Sequence, residues 1–451
     1  MKNQEHVAGR WLLLVGLFIC CCAFPAFTQQ KPIALKGGKL LTVSHGTIEN
    51  GVLVMQNGKI IAVGAASSVK IPKDARVVDA AGMTVYPGLI DSEDNLGLTE
   101  ISAEDSTNDL IESSEEIMPH MHVYDAFHAE SELIPVTRLN GVTNALIAPD
   151  SKDTLPGQDS FVQLAGKSAE DMVLIRDIAM PLNFTGDQRR NESGKRKFPS
   201  TRMGLASQLR QAFLDAQDYA QHWTDYEKKK NEAAQKPDDK DKKAEDKDKK
   251  APTPPKRDLK LEALLPYLQG KKPIVLAAEE ANDLQTAVSL AHEFNLKFVL
   301  DHISQSQSVL DYVASLKVPV IVGPIYEDPK PYERYDAVYS LPAQLYKRGV
   351  KIVFASFDAH NVRNLPYQAG YATAFGLPYD EALKAITLNA AETWGVADQL
   401  GSLDTGKTAN VVVANGDPLD LRTDVKQVFI AGQEIPMTSR QTRLRDQYSG
   451  Q

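Results

Sequence analysis

With 451 residues, 43% hydrophobic and 24% charged, the chain can bury one large core beside a smaller companion domain. Its formal charge of −9 argues against a nucleic-acid surface, since no long basic run is free of interleaved acids.

At the N-terminus Lys2 and Arg10 precede an apolar run at 11–19, and Ala26-Phe27-Thr28 stands before Gln29. This is the order of a secretory signal over residues 1–28. The run is shorter than the roughly 20 apolar residues of a spanning helix, and no other stretch could span, so no membrane span is expected. All 3 cysteines, Cys20, Cys21 and Cys22, fall in or beside it, which leaves a mature chain without thiols. A secreted or periplasmic location follows. The alternative, a lipid-modified cysteine anchored at the cell envelope, fits the residues before each Cys poorly.

From 29 to 85 the pattern is short strands and tight turns. Asn57-Gly58 lies between Val52-Leu53-Val54-Met55 and Lys59-Ile60-Ile61-Ala62-Val63 and predicts a hairpin, because both turn residues tolerate positive φ. From 86 to 395 short apolar runs at 143–147, 274–277, 298–300, 318–322 and 351–355 alternate with helical patterns at the spacing of βα units. No Gly-x-Gly-x-x-Gly turn follows any of them. The expected class is therefore α/β, a closed TIM-like (β/α)8 barrel and not an open doubly wound sheet. Its third and fourth strands are weakly marked, with Met172-Val173-Leu174-Ile175 the best candidate for one.

Residues from about 228 to 257, with Asp238-Asp239-Lys240-Asp241 and Pro252-Thr253-Pro254-Pro255, nearly lack large apolar side chains. Such a stretch cannot offset the entropy of ordering, which predicts a disordered charged insertion. Residues 205–226 have helical spacing and would carry it outward. Residues 396–451 return to turn-rich strands and would complete the N-terminal β domain, so that both chain ends form one composite domain.

Three segments in order carry a resemblance: Pro87-Gly88-Leu89-Ile90-Asp91, Thr387-Leu388-Asn389-Ala390-Ala391, and Gly401-Ser402-Leu403 with Gly406-Lys407. On these the chain resembles the amidohydrolase superfamily, in its imidazolonepropionase-like branch, over nearly the whole mature length. Asn410 stands where that family usually has Asp. The resemblance implies one or two divalent ions at the C-terminal ends of the barrel strands, where an ion activates water and polarises a scissile carbonyl. It also implies a carboxylate after the last strand that moves the proton from water to the leaving nitrogen.

Transferred position by position, the implied site is incomplete. Glu93 and Asn95 stand where the family has His-x-His, and Leu276-Ala277-Ala278-Glu279-Glu280 lacks the fifth-strand histidine. His302 matches the sixth-strand histidine and Asp358 the base; the fourth-strand ligand is unassigned. Glu93, Asn95, His302 and Asp358 are thus the candidate metal set, oxygen-rich and suited to manganese, magnesium or calcium as well as zinc, or to no ion at all. Glu279, Glu327, His360 and Arg363 are candidate substrate contacts near strand ends, and Leu155-Pro156-Gly157-Gln158 is a candidate pocket wall. Asp358 has a second reading, in which it anchors its loop through Arg363. His120 and His122 precede a helical segment well beyond the first barrel strand and are expected to pack or face solvent.

Two functions fit. One is a hydrolase of carbon–nitrogen bonds in a cyclic amide or small peptide-like substrate, with a reduced metal site. The other is an inactive binding barrel, self-associated or paired with an intact relative.

Overall fold

The computed structural model describes residues 31–112, 114–184, 198–235, 252–303, 307–329 and 333–450. The expected signal at 1–28, and 236–251 of the expected insertion, lie outside the described residues. No described helix is long and apolar enough to cross a membrane.

Two eight-stranded sheets organise the chain. The first contains β1 (Ile33–Leu41), β2 (Thr47–Gln56), β3 (Lys59–Ala65), β4 (Arg76–Asp79) and β5 (Thr84–Pro87). The Asn57-Gly58 turn joins β2 to β3 with both residues at positive φ, 50° and 77°. The second holds β6 (Leu89–Asp94), β7 (Val142–Ile147), β8 (Asp159–Gln163), β9 (Val173–Asn183), β10 (Ile274–Ala277), β11 (Phe298–Asp301), β12 (Val320–Val322) and β13 (Ile352–Phe354), neighbours in chain order. The chain then returns to the first sheet through β14 (Val411–Ala414), β15 (Val425–Ile430) and β16 (Gln433–Ile435). There β14 runs antiparallel to β5, with Val411 opposite Pro87, so strands from both chain ends share one sheet.

The second sheet is the expected barrel with one strand reversed. β8 runs antiparallel to both β7 and β9, while the other pairs are parallel. Its sequence begins Asp159-Ser160, and β9 carries Arg176 and Asp177, so neither reads as an uninterrupted apolar run. Met172 ends a short helix, and β9 starts one residue later. Ile90, Leu146, Phe161, Ala179, Val275, Val299, Ile321 and Val353, one from each strand, fill the interior, and Trp394, Val396 and Leu400 join the same cluster. The barrel is therefore a packed core and not a channel.

The helix Arg202–Ala234 starts at Thr201, whose hydroxyl accepts from Gly204 N at 3.1 Å. It buries Leu205, Leu209, Phe213, Ala216 and Tyr219 on one face, with Phe213 against Phe294 at 5.0 Å between ring centres. Its C-terminal half is exposed and continues to Ala234, beyond the expected start of the insertion at 228.

Asn410 ties the two sheets together. Its amide donates to Asn144 Oδ1 at 2.8 Å, and its Oδ1 accepts from Ala431 N at 2.8 Å. An ionised Asp could accept the second bond but could not donate the first.

Gly88 is the single residue between β5 and β6, where the chain passes from one sheet to the other. A Cβ there would lie 2.1 Å from Thr143 Oγ1. Gly88→Ala should therefore destabilise the fold by about 1–3 kcal/mol, the usual range for overpacking. Thr143→Ala in the same chain should recover part of that loss. Denaturant titration of the double-mutant cycle reads the coupling, and strict additivity would refute the clash.

Asp159 is fully buried and neither carboxyl oxygen has a hydrogen-bond partner among the described residues. Burial, and then the charge of Asp177, hold its pKa well above the usual carboxylate value. The folded state thus keeps a proton that the unfolded chain releases near pH 4. The stability tied to that proton is full below the unfolded pKa and declines by about 1.4 kcal/mol per pH unit as pH rises toward the folded value. Asp159→Asn should flatten this decline and raise the melting temperature at neutral pH; an unchanged pH–stability curve would contradict it.

Candidate active site

The C-terminal ends of β6 and β11 and the segment after β13 surround a cavity of ≈ 170 Å³. Glu93, Asp94, Asn95, His302 and Phe357 line it, with 148–151 on the other side. This is the end of a barrel where strand-end side chains meet.

His302 directly follows β11, and the buried Asp301 carboxylate clasps it twice. Asp301 Oδ1 accepts from the His302 backbone N at 2.7 Å, and Oδ2 bonds to ring Nδ1. The clasp accompanies a positive φ of 51°, a conformation uncommon for histidine. Burial alone would lower the imidazole pKa. The Asp301 charge and hydrogen bond, and more distantly Glu279 and Glu327, outweigh it and raise the pKa above its ordinary value. The ring packs on Phe357, itself at φ 57°, with centroids 4.8 Å apart.

Three acids of β6 are buried beside it. Burial pushes Asp91 up to about 7, against the lowering effect of its bonds from Ser356 and Glu93 N. Glu93 and Asp94 are also held well above the usual carboxylate range, first by burial and then by neighbouring acids. Asp91 Oδ2, Glu93 Oε2 and Asp94 Oδ2 each lack a partner among the described residues.

The candidate residues separate by position. Glu93 and His302 share the cavity. Asn95 lines it too, but its Oδ1 accepts from Ala359 N at 2.7 Å and its Nδ2 donates to Phe357 O at 3.5 Å. Asp358 does not line the cavity; its side chain is half-exposed, and its Oδ1 accepts from His360 N at 2.7 Å. The Asp358–Arg363 contact does not form: Arg363 is exposed, and its carbonyl accepts from Asn140 Nδ2 at 2.8 Å. Glu279 is half-buried beyond β10 and Glu327 is exposed; both influence His302 through charge and neither lines the cavity.

Leu155 and Gln158 are packed away from the cavity, Gln158 accepting from the Tyr267 hydroxyl at 2.9 Å. His122 pairs with Asp177 at 2.7 Å and does not line the cavity. Sequence reasoning passed over Asp91, Asp94, Asp301 and Phe357. The only available signal was the carboxylate directly before His302.

The divalent centre implied by the resemblance is built on imidazoles, and these residues do not fit it. Among the described residues no three His, Cys, Asp or Glu side chains are placed to hold an ion. His302 is the only imidazole lining the cavity, and one of its ring nitrogens is committed to Asp301.

Residues 340–435 match the model of the amidohydrolase family. The chain is similar to amidohydrolase tasK of Hapsidospora irregularis, 25% identical over 403 residues, which cover 85% of this chain and 39% of that protein. It thus spans well under half the length of this curated relative. Among solved structures it resembles an amidohydrolase from Thermotoga maritima MSB8, with TM-score 0.77 and 26% identity over 90% of this chain and 100% of the other. Molinate hydrolase shares the fold at TM-score 0.54 and 15% identity, covering 91% of this chain and 96% of that one. With this barrel, its companion sheet and these matches, the chain belongs to the amidohydrolase superfamily.

Proposed function

We propose that the protein is a hydrolase of carbon–nitrogen bonds in a small cyclic amide or peptide-like substrate, acting at the barrel mouth in a secreted or periplasmic setting. One observation carries the reading: His302, clasped by Asp301, packs on Phe357, the residue directly before Asp358. The oriented imidazole therefore lines the cavity, and the Asp358 carboxylate stands one residue beyond that lining.

The chemistry uses these side chains alone. Asp358 takes a proton from the water that adds to the carbonyl carbon, and the carbonyl π electrons move onto oxygen. The Asp301 carboxylate favours the protonated imidazole, whose Nε2–H would stabilise that oxyanion. Collapse breaks the carbon–nitrogen bond, and Asp358 returns the proton to the departing amine. Burial favours the protonated form of Glu93, whose O–H would be a further donor to the cavity.

A second reading, an inactive binding barrel, draws on the small cavity. At ≈ 170 Å³ it lies below the range of about 300–1,000 Å³ usual for ligand pockets.

Amine release from a panel of cyclic amides, N-acyl amino acids and dipeptides separates the readings. Turnover should appear and fall about 10²- to 10⁴-fold in Asp358→Asn, whose circular dichroism should match the parent. Chelation should leave the rate unchanged. Activity that depends on added manganese or zinc would instead support the oxygen-rich ion site of Glu93 and His302. No release under any condition would support the binding barrel.

A further inference from the structure

The opposite end of the barrel carries a larger hollow than the mouth. Segments leading into β10, β11 and β12, together with 393–395, enclose a groove of ≈ 690 Å³. That volume lies within the range of small-molecule sites. Phe298, Val299 and Trp394 are buried within its lining, and His292 is 5.9 Å from Phe298 between ring centres.

The groove is cationic as well as apolar. Lys271, Lys272 and Lys297 line it, and none of them forms an ion pair among the described residues. Lys272 is half-buried. Asp177 also lines the groove; it pairs with His122 at 2.7 Å, and its charge also acts on Lys272. Two donors in the lining, the Trp394 indole N–H and the Thr393 hydroxyl, have no hydrogen-bond partner among the described residues.

Three ammonium groups facing one carboxylate over an apolar lining recruit a ligand that brings both a negative charge and a hydrophobic body. A bare inorganic anion would leave the apolar part of the lining uncovered. A neutral aromatic compound would leave the lysines without a contact. We propose that this groove is a second ligand site, separate from the mouth, for a small organic carboxylate with an aromatic or short alkyl body.

Fluorine NMR titration of the full chain with 4-fluorobenzoate tests it, with neutral 4-fluorobenzamide and cationic 4-fluorobenzylamine as controls. The benzoate should broaden saturably and bind at least about tenfold more tightly than either control. The Lys272→Gln/Lys297→Gln double variant should lose about tenfold in benzoate affinity. The Lys272→Arg/Lys297→Arg variant should retain binding, which shows that the effect is charge and not misfolding. Asp358→Asn should leave binding intact, which places the ligand away from the mouth. The proposal fails if benzamide binds as tightly as benzoate, if the Gln variant binds like the parent, or if Asp358→Asn abolishes binding.

Discussion

A barrel needs its first strand joined to its last, and here that junction rests on a buried carboxylate. Asp91 Oδ1 accepts from Glu93 N at 3.2 Å and from Ser356 N at 3.1 Å. Phe357 N then donates to Glu93 O at 3.0 Å, and Ala359 N to Asn95 Oδ1 at 2.7 Å. β12 and β13 are only 3 residues each, too short for a long ladder, so side chains of β6 and its continuation complete the seam. An open edge would leave backbone donors and acceptors unpaired at this point. The arrangement has an electrostatic cost, visible in an Asp91 pKa near 7 at the centre of the closure.

The seam also decides the chemistry of the mouth. The segment bonded to β6 presents Phe357, which packs on His302, and then the half-exposed Asp358 just beyond the cavity lining. The same bonds engage both ends of the Asn95 amide. Of the two first-strand positions where the resemblance implies imidazoles, one is used for closure and the other is a buried acid whose pKa is held above the usual carboxylate range. What remains available is the Asp301–His302 pair and the Asp358 carboxylate. That set can polarise a carbonyl and move a proton without the imidazole cluster that would hold an ion.

Much of this was legible in the sequence, for reasons that can be named. β2 and β3 alternate around Asn57-Gly58, whose turn chemistry admits one geometry. β10 to β13 are short apolar runs between helical periods, and such runs have few other uses in an α/β chain. β8 and β9 were obscure because Asp159, Ser160, Arg176 and Asp177 interrupt their apolar pattern, and one-dimensional pattern says nothing about the reversal of a strand. Burial of Asp91, Asp94 and Asp301 was equally hidden, since an isolated Asp in a sequence is usually exposed. Asp358 shows a third limit. Charge suggested Arg363 as its partner, but the His360 N–H is fixed two residues away and costs no long side chain its freedom, so the local turn is favoured.

The two ends of the barrel differ in charge, and the fold accounts for part of that difference. Each helix that follows a parallel strand points its N-terminus toward the mouth and its C-terminus toward the base. Aligned peptide dipoles therefore favour acids above and cations below. Ala281–Glu293 shows the pattern in part, starting beyond β10 near Glu279 and Glu280 and ending in His292-Glu293, with Lys297 shortly after. The dipoles are not a complete explanation, because their effect fades within one helical turn and would be served equally by lysines directed to solvent. Lys272 is instead half-buried in the groove lining, with no ion pair among the described residues. A position that only balanced a dipole would not need that burial, whereas one that also receives an anionic ligand would.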